Sequence, residues 1–214
     1  MQKDTIKRCI YFVCGLFLTA FGVALIAKVN LGNAPIATLP YVLSLIFSVT
    51  LGVTTIAINV LFVLLQIILL QGNFPKVQYL QFVVAIFFGL FIDMSLFLIT
   101  SINPETYILK MITLCIAGII MSFGISIQVK QDLILMSGEA LVKVISTKLS
   151  KEFGAMKVAF DVSIVAASII LSLIFLGSLE GVREGTIILA FSVGVFIRFF
   201  LKKFNSINKK IEAV

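Results

Sequence analysis

The 214-residue sequence contains no histidine and no tryptophan, and only three cysteines and four prolines. Without histidine, the usual zinc sites, histidine proton relays and histidine-based catalytic triads are excluded. Cys9, Cys14 and Cys115 follow neither a metal-ligand spacing nor a disulfide pattern, and small apolar packing accounts for them. Charge is scarce as well. Charged residues make up 13% of the chain, against roughly a quarter in soluble domains. Apolar residues make up 60%, and the mean hydropathy is +1.17. A chain this short cannot bury so much apolar surface in an aqueous core, so its solvent is lipid.

The charge that is present is mostly basic, giving a net +7. Lys and Arg cluster near the ends of apolar runs and in two polar stretches, a pattern that orients helices in a bilayer rather than binding nucleic acid. Met1 to Arg8 is basic and precedes an uncharged run, Cys9 to Ala27. A signal peptide begins similarly. The length of this run, Lys28 after it and its recurrence later in the chain favour a retained first helix.

That recurrence is an internal repeat. When residues 21–69 are laid over 123–171 without a gap, fifteen of the 49 positions are identical. Matched apolar composition alone gives roughly five. Phe21-Gly22 falls on Phe123-Gly124, Lys28 on Lys130, Gly52 on Gly154 and Ala57 on Ala159. Asn59 falls on Asp161, a polar position kept polar. With three more residues of spacing, Gly89 falls on Gly194 and Asp93 on Arg198.

Each half reads as a helix, a short interrupted segment and two further helices. The expected fold is all-α, with six transmembrane helices at about 9–28, 52–72, 77–100, 110–130, 155–176 and 184–204. They form two inverted three-helix repeats, residues 1–104 and 105–214, within one membrane domain. Residues 34–50 are apolar and contain Pro35 and Pro40. In residues 136–150, Ala140, Leu141, Val144, Ile145 and Leu149 form one face, with Lys143, Ser146, Thr147 and Lys148 opposite. The second segment is too polar to span. By the repeat, the first is a re-entrant or interfacial helix as well. With both termini cytoplasmic, fourteen Lys and Arg lie inside and three outside, as the positive-inside rule requires. A seven-span arrangement, with 34–50 crossing, gives twelve against five. Three spans per half is an odd number, so the six-span reading inverts the halves. Tyr11 and Tyr79 then sit near the inner interface and Tyr41 and Tyr107 near the outer one, a weak aromatic belt.

Polar residues within spans are the site candidates. Asp161 and Asn59 are repeat mates, and Lys157 lies one turn before Asp161. That pair is either a site or a structural salt bridge. Asp93 lies in the third span and snorkels poorly, so it needs a partner or a wet cavity, whereas its mate Arg198 can reach the headgroups. Asn59 and Gln66 share a face of the second span, a placement that also suits helix–helix hydrogen bonding. Glu139 and Lys143 are four apart in the favourable order on the amphipathic segment. They form either a solvated face or part of a short helix that closes a cavity from inside. Arg183 and Glu184, between Gly181 and Gly185, open the last span in a tight turn or a plain loop. The expected substrate-binding set is Asn59, Asp93, Glu139, Lys143, Lys157, Asp161, Arg183 and Glu184. No metal or cofactor is implied.

Several stretches carry a family resemblance. They are Gly22-Val23-Ala24-Leu25, Leu31-Gly32-Asn33-Ala34-Pro35, Gly138-Glu139-Ala140-Leu141-Val142-Lys143, Phe153-Gly154-Ala155-Met156-Lys157 with Phe160-Asp161, and Gly181-Val182-Arg183-Glu184-Gly185-Thr186. By these the chain resembles the YczE/YyaS/YitT family of bacterial membrane proteins, most of all its YczE-type branch. Relatives often carry proline before the Gly-Glu pair, where this chain has Ser137. The resemblance implies a multi-pass protein of the bacterial cell membrane, in a family commonly supposed to transport. It supplies no substrate and no binding residue.

Two functions fit. The first is a small-solute transporter or channel-like protein working between inverted halves. The second is a non-transporting membrane subunit, alone or as a homo-oligomer, that binds a ligand or partner for another machine, as the membrane subunits of energy-coupling factor transporters do. The chain has no P-loop motif, so any ATP drive comes from a partner. An intramembrane aspartyl protease is disfavoured: Asp93 follows Gly89-Leu90-Phe91-Ile92, without the Gly-x-Gly-Asp signature. The chain is expected not to be an enzyme.

Overall fold

The computed structural model describes residues 2–211, with side chains described for 5–204. The described residues form eight α-helices and one short 3-10 turn, with no strand. These are α1 (Gln2–Val29), α2 (Pro35–Phe47), α3 (Leu51–Leu70), the turn Lys76–Tyr79, α4 (Leu80–Leu98), α5 (Tyr107–Gln131), α6 (Ser137–Lys148), α7 (Phe153–Leu176) and α8 (Glu184–Ile211).

Six helical stretches are long and apolar enough to cross a bilayer: Thr5–Val29, Leu51–Leu70, Lys76–Leu98, Tyr107–Gln131, Phe153–Leu176 and Glu184–Phe204. α2 and α6, with 13 and 12 residues, are too short. Thus the chain is a multi-pass membrane protein with six helices of spanning length, and the helix within 34–50 falls short of that length.

Local chemistry sets the boundaries. Pro35 opens α2, where its missing N–H costs nothing. Thr50 and Thr106 cap α3 and α5 by accepting from Val53 N and Leu109 N. Asn30, Ser48, Asp132 and Ser150 take left-handed φ values of 53°, 52°, 48° and 52° where helices end. Asn30 and Asp132 are 102 residues apart, as are Ser48 and Ser150, so the breaks recur at the spacing of the sequence repeat.

α1 and α5 form the centre and pack on each other most extensively. Glycines allow that approach: a Cβ on Gly22 would lie 2.7 Å from Met121 Cβ, and one on Gly124 2.6 Å from Thr19 N. α4 packs on α1 and α8 on α5, α2 lies against α7 and α6 against α3. Thr38 of α2 hydrogen-bonds Ser168 of α7 at 2.9 Å, both fully buried. Lys148, in the last turn of α6, donates to Leu69 O at the end of α3 at 3.2 Å, a cation on a helix C-terminus. α6 therefore starts partway along α3, at Asn59 and Gln66, and runs out towards that helix's end, while α2 starts beside the middle of α7, at Ser168. The starts of α2 and α6 meet, because Gly138 packs against the Ile36 side chain.

The α6 faces differ from the simple amphipathic expectation. Ser146 is buried and Leu149 exposed. α6 packs on both α3 and α7, so its covered arc is wider than one stripe. The Ser146 hydroxyl is satisfied by donating to Lys143 O at 2.9 Å.

Candidate functional site

The start of α6 meets the polar side chains Asn59 and Gln66 of α3 and, through Gln66, Gln81 of α4. The Ser137 hydroxyl donates to Asn59 Oδ1, while Asn59 Nδ2 donates to Thr55 O at 2.8 Å. The Ser137 carbonyl accepts from Gln66 Nε2 at 3.2 Å. Gln66 Nε2 also donates to Gln81 Oε1 at 3.0 Å, and Gln81 Nε2 returns a bond to Gln66 Oε1 at 3.3 Å and reaches Gln78 Oε1. Gln66 and Gln81 are almost wholly buried. In an apolar span such amides have to find one another, which is why the network is closed. Asn59, Gln81, Val84, Ala85, Leu135, Met136 and Ser137 line a crevice beside it, too narrow for a water molecule.

Two residues on from Ser137, in the same first turn, stands Glu139. α6 does not span, and its N-terminal dipole favours a carboxylate there. Glu139 is partly buried. Burial pushes its carboxyl above the ordinary range, Lys157 and the backbone of its own turn pull it down, and Asp161 pushes it up. Lys157 and Asp161 form an ion pair at 2.6 Å, each about a quarter exposed. On the same stretches of α6 and α7, Leu141 and Ile164 join Ile58 and Phe62 of α3 in one apolar cluster. Beside it, an apolar pocket of about 190 Å³ opens between α6 and α7, lined by Val142, Ile145, Met156, Ala159, Phe160 and Ser163.

Four of the eight sequence candidates, Asn59, Glu139, Lys157 and Asp161, thus come together around α6. The other four do not. Lys143 is exposed and forms no ion pair with Glu139, because the glutamate is within reach of α7 while the lysine points away from the packed face. Asp93 has a partner rather than a wet cavity: it accepts from Gly52 N at 2.8 Å and Thr50 Oγ1 at 2.6 Å, so it closes the N-terminus of α3. Arg183 donates to Asn30 O at the end of α1 at 3.2 Å and pairs with Glu184 at 3.3 Å. Gly181 O accepts from Asn33 N at 2.9 Å, and Gly185 N donates to Leu31 O at 2.8 Å. This motif staples the α7–α8 connection to the α1–α2 connection. Sequence reading missed Gln81, although an amide inside the apolar run Leu80–Leu98 is itself a signal.

Residues 6–202 match a family described as DUF6198, a family of unknown function. The chain belongs to the DUF6198 family. It is also 26% identical over 202 residues to the "Uncharacterized membrane protein YczE" of Bacillus subtilis (strain 168), covering 94% of this chain and 88% of that protein. The resemblance to YczE-type proteins is thereby established. No solved structure matches.

Proposed function

We propose that the protein is a small-solute transporter of the bacterial cell membrane that works by exchange between two inverted halves, residues 1–104 and 105–214. The observation that carries this reading is the meeting of two short helix starts in the interior, Ile36 against Gly138, with Asn59, Glu139 and the Lys157–Asp161 pair beside them. Helices interrupted partway across, at the junction of inverted repeats, are where transporters place their substrate and coupling-ion sites.

Inversion is supported by pairs of contacts. Gly22 on Met121 and Gly124 on Thr19 exchange under the 102-residue shift, and Gly138 on Ile36 maps onto itself. The packing of α4 on α1 maps onto α8 on α5, and α2 on α7 onto α6 on α3. Exchange of this kind is what a two-fold axis produces. With three spans per half, that axis lies in the membrane plane, and the Lys and Arg distribution puts both termini in the cytoplasm. In this reading α2 and α6 are re-entrant, and the solute passes between their starts.

Glu139 is assigned as the titrating group of the transport cycle, and Lys157–Asp161 as the balancing pair. Reconstituted protein is expected to give solute-dependent currents or pH changes in proteoliposomes screened with sugars, amino acids, nucleosides and carboxylates, and Glu139→Gln to remove their pH dependence. Glu139 binds its proton more tightly in the folded chain than in the unfolded one. Stability from this group is therefore present in acid and lost as pH rises from the ordinary carboxylate range through the raised value. Glu139→Gln should melt higher than wild type above neutrality and match it in acid. Equal pH profiles for the two proteins would remove Glu139 from the mechanism, and silence with every solute class would remove transport.

A second reading, a membrane subunit serving another transport machine, draws support from α7 and α8, the least buried spans. A stoichiometric partner that stays bound through purification, with no solute response by this chain alone, would favour it.

A further inference from the structure

The exchange of contacts fails at one place. α3 and α4 pack closely, whereas their counterparts α7 and α8 barely touch. In the first half a Cβ on Gly89 would lie 2.5 Å from Gly52 O, and the side chain of Ile56 packs on Gly89. In the second half, among the described residues, a Cβ on Gly194 would have nothing within 4 Å, and one on Gly154 would meet only the Glu152 side chain, at 3.5 Å. Val158, the counterpart of Ile56, is 65% exposed. Yet the sequence keeps both glycines that a close contact needs.

The polar groups around the gap repeat the first-half arrangement with changed chemistry. There Thr50 caps α3, and Asp93 of α4 accepts from Thr50 Oγ1 and Gly52 N. The counterpart of Thr50 is Glu152, the N-cap of α7, and the counterpart of Asp93 is Arg198. A hydroxyl and a carboxylate are replaced by a carboxylate and a guanidinium, which remain complementary. Among the described residues neither Glu152 nor Arg198 has an ion-pair partner, and both are exposed.

We infer that α8 closes on α7 in a second state, with Gly154 on Gly194 and an Arg198–Glu152 ion pair across the mouth, while α3 and α4 part. The inference rests on the inverted-repeat transport reading, and it places the cytoplasmic gate between α7 and α8. The structure described is then the state with α3–α4 shut and α7–α8 open. A single bundle that alternates the two contacts exposes its interior first to one side and then to the other. The guanidinium and carboxylate give the closed gate a charge-assisted bond that the open gate lacks.

Disulfide trapping tests this in membranes, on a chain with Cys9, Cys14 and Cys115 replaced by serine. Thr50→Cys with Asp93→Cys should bridge readily, since those residues already touch. Val158→Cys with Gly194→Cys should also bridge within one chain. Adding Arg198→Glu should lower that yield several-fold, and adding Glu152→Arg to it should restore the yield. Gly154→Leu, which puts a side chain between the helices, should abolish it. Absence of the Val158–Gly194 bridge while the Thr50–Asp93 bridge forms would overturn the gate. So would a bridge that links two chains, or one indifferent to Arg198→Glu. Because bridging needs no solute, it separates the two ideas: solute flux without a bridge sinks the gate alone, and a bridge without flux in any screen sinks the transport reading.

Discussion

Replacing Gly52 by leucine is expected to prevent the protein from reaching its packed state, while the same replacement at Gly154 is expected to leave folding intact. A Cβ on Gly52 would meet Gly89 O and lie 2.5 Å from the Asp93 carboxylate. Backbone atoms of one helix cannot give way without moving the whole helix, so the clash is relieved only by separating α3 from α4. Overpacking of this kind costs about 3 kcal/mol when nothing flexible can yield. Separation also strips Asp93 of its donors, Gly52 N and Thr50 Oγ1, leaving a carboxylate unmatched in the bilayer. At Gly154 the nearest atom to an added Cβ is the flexible Glu152 carboxylate at 3.5 Å. There leucine gains roughly 0.8–1 kcal/mol of helix propensity over glycine. Size-exclusion profiles of the two variants in mild detergent should show aggregate for the first and a wild-type peak for the second. Two identical profiles would mean that the α3–α4 contact is not what the geometry makes it.

The second large effect is expected at Gln66. Its amide joins Gln81, Ser137 O and Phe62 O. Leucine there fills similar volume but leaves Gln81 Oε1 without its donor and takes one bond from the Ser137 carbonyl, while Gln81 Nε2 keeps Gln78 Oε1. An unmatched buried polar group costs about 1–3 kcal/mol, although measured side-chain bonds between helices in membranes lie at the low end. Gln66→Leu should therefore lower stability by about 2 kcal/mol in reversible denaturation, and Gln81→Leu by less, since Gln66 Nε2 keeps Phe62 O and Ser137 O. The double variant should recover part of the loss, because removing both amides leaves fewer orphans than removing one. Strict additivity would show that the amides do not act as a pair.

The physics of single helices made much of this architecture legible. Six apolar runs, Pro35 at the head of the short apolar segment, and the polar stretch around Glu139 are local signals, and each corresponds to an element or its end. The 102-residue repeat anticipated the matched left-handed residues at Asn30 and Asp132 and at Ser48 and Ser150. Legibility ended where a side chain finds a backbone partner far along the chain. Asp93 looked like a lone intramembrane carboxylate because its donors, Thr50 and Gly52 N, belong to the preceding helix. Arg183 looked like a site residue because the carbonyl it meets, that of Asn30, has no sequence signature. Nor did periodicity decide α6, which is covered from two sides and buries Ser146 in place of Leu149. Lys157 and Asp161, one turn apart, pair as spacing alone requires.

The opposite orientation of the two halves underlies both the transport reading and the gate. Ser48 and Ser150 are repeat mates, both exposed, at the ends of α2 and α6. In a chain lacking its native cysteines, a single cysteine at each position is labelled with a membrane-impermeant maleimide, in intact cells and in inverted vesicles. Inverted halves predict labelling of Ser48→Cys only in intact cells and of Ser150→Cys only in inverted vesicles. Labelling of both from the same side would contradict the inverted repeat, and with it the transport reading and the gate.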